Sequence, residues 1–510
     1  MQQGDPSSSS SSRLMASQRA LGRSYLTTNR PRLPNKIEHL LTSTFLGHRT
    51  ASTNISSLPD NILCMIFHTV VFSPTRRSLG YKTPLTYERC SSPFPILHVC
   101  LKWRRLMIGM GEVWRSIFIQ SPSEKHIQRT ALWMQYAGKN PLRITVITSP
   151  TPSEEEQEYL HAILDILATK LEFWNAVVFE FNGRLPPSFT DHMKNLRKSP
   201  QPSLKNFFLH LPPNPREVLQ VLSIWESVNA MPSLRAFRWD CAHTPGLQLS
   251  PRLETLDLSS PIALDDLLAR LSPCKNLSSL RVRKITAPSD GFNPDALARV
   301  KFPHMRDLVL EAVDTDLAPL LEHLSTPNLV VLGLKNIQHG LFAPVSRLCK
   351  HTAGSLYAVS LAFAQPPAED DVQDWLWMPQ FQELSMLSML GVRLTDTILD
   401  TLTLPAHTTA MAPCLPRLEG LHLGTVRTDV DSAAVLRMLG SRFWPPPPAC
   451  AMHEMDGVNV DQERTQLKKA AILVSEAAHT PQLKRYQTMF EQSVASTPGW
   501  GDRELEFEVV

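Results

Sequence analysis

Asn276-Leu277-Ser278-Ser279-Leu280-Arg281-Val282 and Asn328-Leu329-Val330-Val331-Leu332-Gly333-Leu334 share one spacing, apolar-x-x-apolar-x-apolar. The same spacing recurs at Leu204/Phe207/Leu209, Leu234/Phe237/Trp239, Leu253/Leu256/Leu258, Met305/Leu308/Leu310, Leu356/Val359/Leu361, Phe381/Leu384/Met386 and Leu418/Leu421/Leu423. The interval is roughly 19 to 37 residues and mostly in the mid-twenties. Side chains alternate across a strand, so positions four and six of each unit share one face, while position one packs the turn before it. Helical stretches at 264–271, 295–300 and 317–324 lie between these strands, so each unit reads as a strand and a return helix. Pro232, Pro251, Pro303, Pro327, Pro379 and Pro416 precede several units, where proline stops a helix and sets the chain extended.

The interval brackets that of leucine-rich repeats, and residues 201–443 resemble such an array. The resemblance implies an α/β solenoid with a strand-lined concave face. The asparagine or cysteine of regular repeats is not consistently present, so the expected solenoid is irregular and lacks a continuous ladder of side-chain hydrogen bonds. Charged side chains flanking positions four and six point away from the core: Arg235, Arg238, Glu254, Asp257, Arg281, Arg283, Arg306, Asp307 and Lys335. They are the candidates for contact with a target.

Composition agrees with a large globular chain. The 510 residues are 43% hydrophobic, enough for at least one large core. A formal net charge of +3 from 51 basic and 48 acidic side chains provides no field that would recruit nucleic acid or an anionic membrane. Forty-two prolines against 20 glycines suit short rigid connections between many small elements. The eight cysteines form no CxxC pair and read as reduced, mostly buried thiols of an intracellular protein. No apolar run reaches about 18 residues and no secretory leader is recognisable, so neither membrane spanning nor secretion is expected. Residues 1–53, with a serine tract from Ser7 to Ser12 and scattered arginines, have too little apolar surface to offset ordering entropy and are expected to be disordered.

Upstream of the repeats lies a second informative stretch. In Leu58-Pro59-Asp60-Asn61-Ile62-Leu63-Cys64-Met65-Ile66-Phe67, proline and aspartate open a helix with Ile62, Leu63, Ile66 and Phe67 on one stripe. A polar insert covers 73–95. A second helix is expected over 96–106, with Ile96, Val99, Cys100, Trp103 and Leu106 on its apolar face, and Trp114 to Ile117 closes the unit. A helical piece this small leaves an apolar face for a partner.

The order LP-x-x-I-L-x-x-I-F, then I-L-x-V-C-x-x-W-R-x-L, then W-x-x-I resembles the F-box, here residues 54–120, in a form common with degenerate leucine-rich repeats in basidiomycete fungi. The resemblance implies a three-helix domain that binds the Skp-type adaptor and, through it, the cullin of an SCF-type ubiquitin ligase. It places Leu58, Pro59, Ile62, Ile66, Val99 and Trp103 at the docking face or its immediate support. The insert is longer than in the commonest members. Residues 121–200 alternate helix and strand, with helices at 124–138 and 154–170 and strands at 140–146 and 173–181, as in fungal members of the family.

After Phe443 the chain changes character. Residues 444–510 read as a proline-rich arm, a helix over 462–478 capping the array, with Leu467, Ala470, Ala471 and Val474 on one stripe, and a tail that is edge strand or frayed end. No GxxxxGK[ST], GxSxG or HExxH is present, and Glu369-Asp370-Asp371 reads as a solvated loop. The expectation is a non-enzymatic protein with no catalytic residues, no metal and no cofactor. The role that the resemblance implies is that of a substrate-recognition adaptor in cytoplasm or nucleus, the alternative being an interaction scaffold acting outside the ligase.

Overall fold

A computed structural model describes residues 55, 58–72, 92–198, 203–214, 217–242, 249–290, 293, 299–338, 340–352, 356–405, 412–428, 430–443, 467–474, 485, 487–489, 491–492 and 504–509. The expected disordered segment, nearly all of the insert and the proline-rich arm lie outside these residues. The chain divides into two units, Met1–Leu63 and Cys64–Val510. The described part of the first holds the start of helix α1 (Asp60–Phe72), where the amides of Ile62 and Leu63 donate to the Pro59 carbonyl at 3.0 and 3.1 Å.

The second unit is mixed α/β around one parallel sheet of 15 strands. In chain order the strands are β1 (Ser116–Gln120), β2 (Leu142–Ile147), β3 (Trp174–Glu180), β4 (Asn206–His210), β5 (Ala236–Asp240), β6 (Thr255–Leu258), β7 (Ile262–Ala263) and β8 (Ser279–Thr286). Then come β9 (Val300–Lys301), β10 (Asp307–Ala312), β11 (Leu324–Ser325), β12 (Val331–Ile337), β13 (Ala358–Phe363), β14 (Met386–Leu394), β15 (Gly420–Thr428), β16 (Lys469–Val474) and β17 (Glu504–Val509). Neighbours in the sheet follow chain order throughout, except that β7 sits beside β8 while β9 and β11 pair separately. Parallel neighbours need a crossover. It is supplied by α4 (Glu124–Ala137), α5 (Glu154–Ala168), α6 (Pro187–Lys198), α7 (Val218–Asn229), α8 (Leu264–Leu271), α9 (Ala318–His323), α10 (Phe342–Lys350), α11 (Glu369–Leu376), α12 (Asp396–Leu402) and α13 (Ser432–Phe443). Strands β3 and β4 pair across residue 200, so the helix-strand units and the repeats share one sheet.

Positions four and six of each unit are the core. Leu256, Leu280, Leu308, Leu332, Val359, Leu387 and Leu421 occupy one register row and are all buried. Fully burying one such side chain contributes about 1.5–3 kcal/mol, so the row alone is a major stabilising term before chain entropy is set against it. In the earlier strands aromatic rings fill the same space: Trp225 meets Phe237 and Trp239 edge-on, with centroids at 4.7 and 4.8 Å. Position two forms a backbone ladder outside the strands. The amides of Glu254, Ser278, Arg306, Val330, Tyr357, Ser385, Glu419 and Lys468 each donate to the equivalent carbonyl one unit earlier, at 2.7–3.0 Å. Pro251, Pro303, Pro327 and Pro416 open the turns that lead into this ladder. Side-chain bonds between neighbouring units occur at differing positions, among them Asn182 to the Thr148 carbonyl at 3.1 Å, Asn276 to the Pro251 carbonyl at 3.2 Å, Asn328 to the Pro303 carbonyl at 2.7 Å and Asn336 to the Ala312 carbonyl at 2.9 Å.

Several expectations are corrected. Residues 469–474 are a strand, not part of a capping helix. Leu467-x-x-Ala470-x-Ile472 fits the repeat spacing as well as a helical stripe, and the open edge of β15 with the ladder amide of Lys468 decides for the strand. The unit read as Phe381/Leu384/Met386 is shifted by three residues. Leu384, Leu387 and Met389 are the buried set, Met386 faces outward, and Phe381 ends a 3-10 turn, Pro379–Phe381. Val300 begins β9 where a helix was expected, residues 294–298 lying outside those described. Glu369, Asp370 and Asp371 form the first turn of α11, where the helix dipole favours acids. Finally, Ser116–Gln120, assigned to the helical unit, is the first strand of the sheet.

Candidate functional site

Two surfaces bear the sequence-predicted residues. On the helical segment the expected second helix is split into α2 (Phe94–Leu97) and α3 (Leu101–Gly109). Cys100 between them is extended, and its Sγ accepts from the Trp103 amide at 3.5 Å, so a thiol caps α3. Trp103 is half-buried, with its ring edge-on to Phe67 at 4.8 Å and its Nε1 buried without a hydrogen-bond partner. Trp114 is fully buried and donates its indole N–H to the Met107 carbonyl at 2.7 Å, fixing the exit of α3 into β1. Leu58 is half-buried, and Pro59 and Ile62 are exposed on the first unit. On the second, Ile66 is half-buried and Val99 exposed. Met65 and Leu101, which the sequence reading did not single out, are 66% and 68% exposed.

The other surface is the sheet face opposite the core. One register row crosses it, lying between positions four and six. From β1 to β6 it reads Phe118, Thr145, Val178, Phe208, Arg238 and Asp257. The Arg238 guanidinium lies over the Phe208 ring at 4.4 Å and reaches Asp257 at 3.3 Å. Arg283 approaches the same Asp257 oxygen at 3.5 Å, and the Asp257 side chain is only 9% exposed. Two residues further along the strands, Glu180, His210 and Asp240 stand side by side. His210 Nδ1 and an Asp240 oxygen are 3.0 Å apart. That hydrogen bond holds His210 above its ordinary value and Asp240 below its own, while burial pushes the Glu180 carboxyl up.

Beyond Arg281 the row becomes small: Val309, Gly333, Ser360, Ser388, His422 and Ala471. These positions floor a trough of about 660 Å³, within the usual range of binding cavities. Gly333 and Gly420 make it shallow. A Cβ at Gly333 would approach Val309 to 3.2 Å, and one at Gly420 would collide with Sδ of Met386. Ser388 Oγ and His422 Nδ1 stand 3.4 Å apart, and Arg281, Asp307, Lys335 and Lys469 bring charge to the lining. Burial pushes the Asp307 carboxyl up, against Arg306 and Arg281.

Of the charged candidates, Arg238, Asp257 and Arg283 therefore form one ion-pair cluster, and Arg281, Asp307 and Lys335 belong to the trough. Arg235 and Glu254 pair with each other at 3.3 Å by the turn ladder, and Arg306 is exposed two units further along it. Glu180, His210, Ser360, Ser388 and His422 were missed. The signal was present, since each stands directly before or after position six of its unit.

Among the described residues, Cys241, Cys274, Cys349 and Cys414 are buried free thiols, with Cys274 and Cys349 pushed up to about 12 by burial. Cys64 and Cys100 are half-buried, and Cys90 and Cys450 lie outside the described residues. No group of three or more His, Cys, Asp or Glu among the described residues is placed to hold a metal. No described helix is long and apolar enough to cross a membrane. Compared with known proteins, the chain matches no family model and no curated sequence.

Proposed function

We propose that the chain is a substrate-recognition adaptor of an SCF-type cullin-RING ubiquitin ligase. Its F-box segment docks a Skp-type adaptor, and its solenoid of leucine-rich-repeat-like units presents the sheet face to a target protein. The observation that carries this reading is the set of large apolar side chains left in solvent on α1, in the turn after α2 and at the start of α3: Met65, Val99 and Leu101. Exposed apolar surface of this kind marks an interaction site when it is contiguous. It falls in the stretch whose residue order resembles the F-box, and Trp103 supports it from below through Phe67. An adaptor of this kind performs no covalent chemistry. It raises the effective concentration of target lysines near a ubiquitin-charged enzyme.

The test is a pull-down of recombinant Skp-type adaptor and cullin by the full-length chain. Three variants accompany it: Leu58→Ala with Pro59→Ala, Val99→Asp with Leu101→Asp, and Trp103→Ala with its folding checked by circular dichroism. Retention by the parent chain and loss of roughly a hundredfold in affinity in the two surface double variants supports the reading. Each apolar anchor of an interface centre is worth about 1–2 kcal/mol or more. An unmodified chain that retains neither protein removes the ligase from the reading and leaves an interaction scaffold.

A further inference from the structure

We draw no further inference here: the strongest candidate, the trough floored by Gly333, Ser360, Ser388 and His422 on the open sheet face of β8 to β16, is a largely apolar surface, and nothing in the structure shows what covers it.

Discussion

Across β1 to β6 and across β10 to β16 the sheet is built alike on its core side and differently on the other. Below, the same register row is apolar and buried in both halves, Val177, Phe207 and Phe237 in the first and Leu332, Leu387 and Leu421 in the second. Above, the first half is covered by Phe208, Arg238 and Asp257, while the second is reduced to Gly333, Ser360 and Ser388. The contrast separates two demands on one strand. Alternation sends successive residues to opposite faces, so positions four and six can be held to packing while the residue between them varies. Where that residue is large, the sheet protects itself with ring and ion-pair contacts. Where it is small, the strands are left open to something else.

The sharpest way to break this contrast is to compare the two faces of one strand. Leu332→Ala empties a core position of β12 and should cost roughly 2–5 kcal/mol in denaturant unfolding. Lys335→Ala, three residues later on the same strand, should change stability by no more than about 0.5 kcal/mol. Comparable losses would mean that the trough is itself a structural element. The two upper faces are compared next. Asp257→Ala leaves Arg238 and Arg283 facing each other without their shared carboxylate, and a loss of about 1–3 kcal/mol is expected from urea midpoints. Ser388→Ala in the trough removes only a long contact to His422 and should be near neutral. If Asp257→Ala is also neutral, the ion-pair cluster is free to serve a ligand and the contrast between the halves loses its physical meaning.

Much of this layout was legible in the residues. Eight of the nine repeat units quoted from the sequence coincide with strands in register, because a buried row of leucines tolerates few substitutions. The failures have a common cause, which is that one string satisfies two periodicities. Phe381/Leu384/Met386 and Leu384/Leu387/Met389 have the same spacing, and only the burial of Leu387 and Met389 chooses between them. Leu467, Ala470 and Ala471 fit a helix locally, yet the ladder from Glu419 to Lys468 draws them into the sheet. The helix break at Cys100 hid behind an uninterrupted apolar stripe, because its determinant is a capping thiol. The trough was invisible for a different reason: it consists of what is missing. Small residues between strong apolar positions give no periodic signal, and their adjacency exists only once seven strands are aligned.

The smallest effect concerns the polar row of the first half and its dependence on pH. His210 is held above its ordinary 6.5 by the hydrogen bond to Asp240, and Asp240 is held below its ordinary 3.8 by the same bond. A base whose folded value is raised adds stability that is complete below about 6.5 and is lost as pH climbs through the folded value. An acid whose folded value is lowered adds stability that is complete above about 3.8 and is lost as pH falls through the folded value. The pair therefore contributes most between those limits. Glu180 has the opposite sign, since burial raises it and its ionisation costs stability on the alkaline side of its shifted value. Arg283 also favours the Asp240 carboxylate through its charge, while Arg238 opposes protonation of His210. With both partners about a third exposed, the His210 contribution should stay under about 1 kcal/mol. Urea midpoints at pH 6 and pH 9 should draw together for the parent chain and His210→Gln as pH rises, and more so at low salt. Parallel profiles would mean that the His210 and Asp240 side chains carry no charge coupling, and the first half of the face would then owe its order to packing alone.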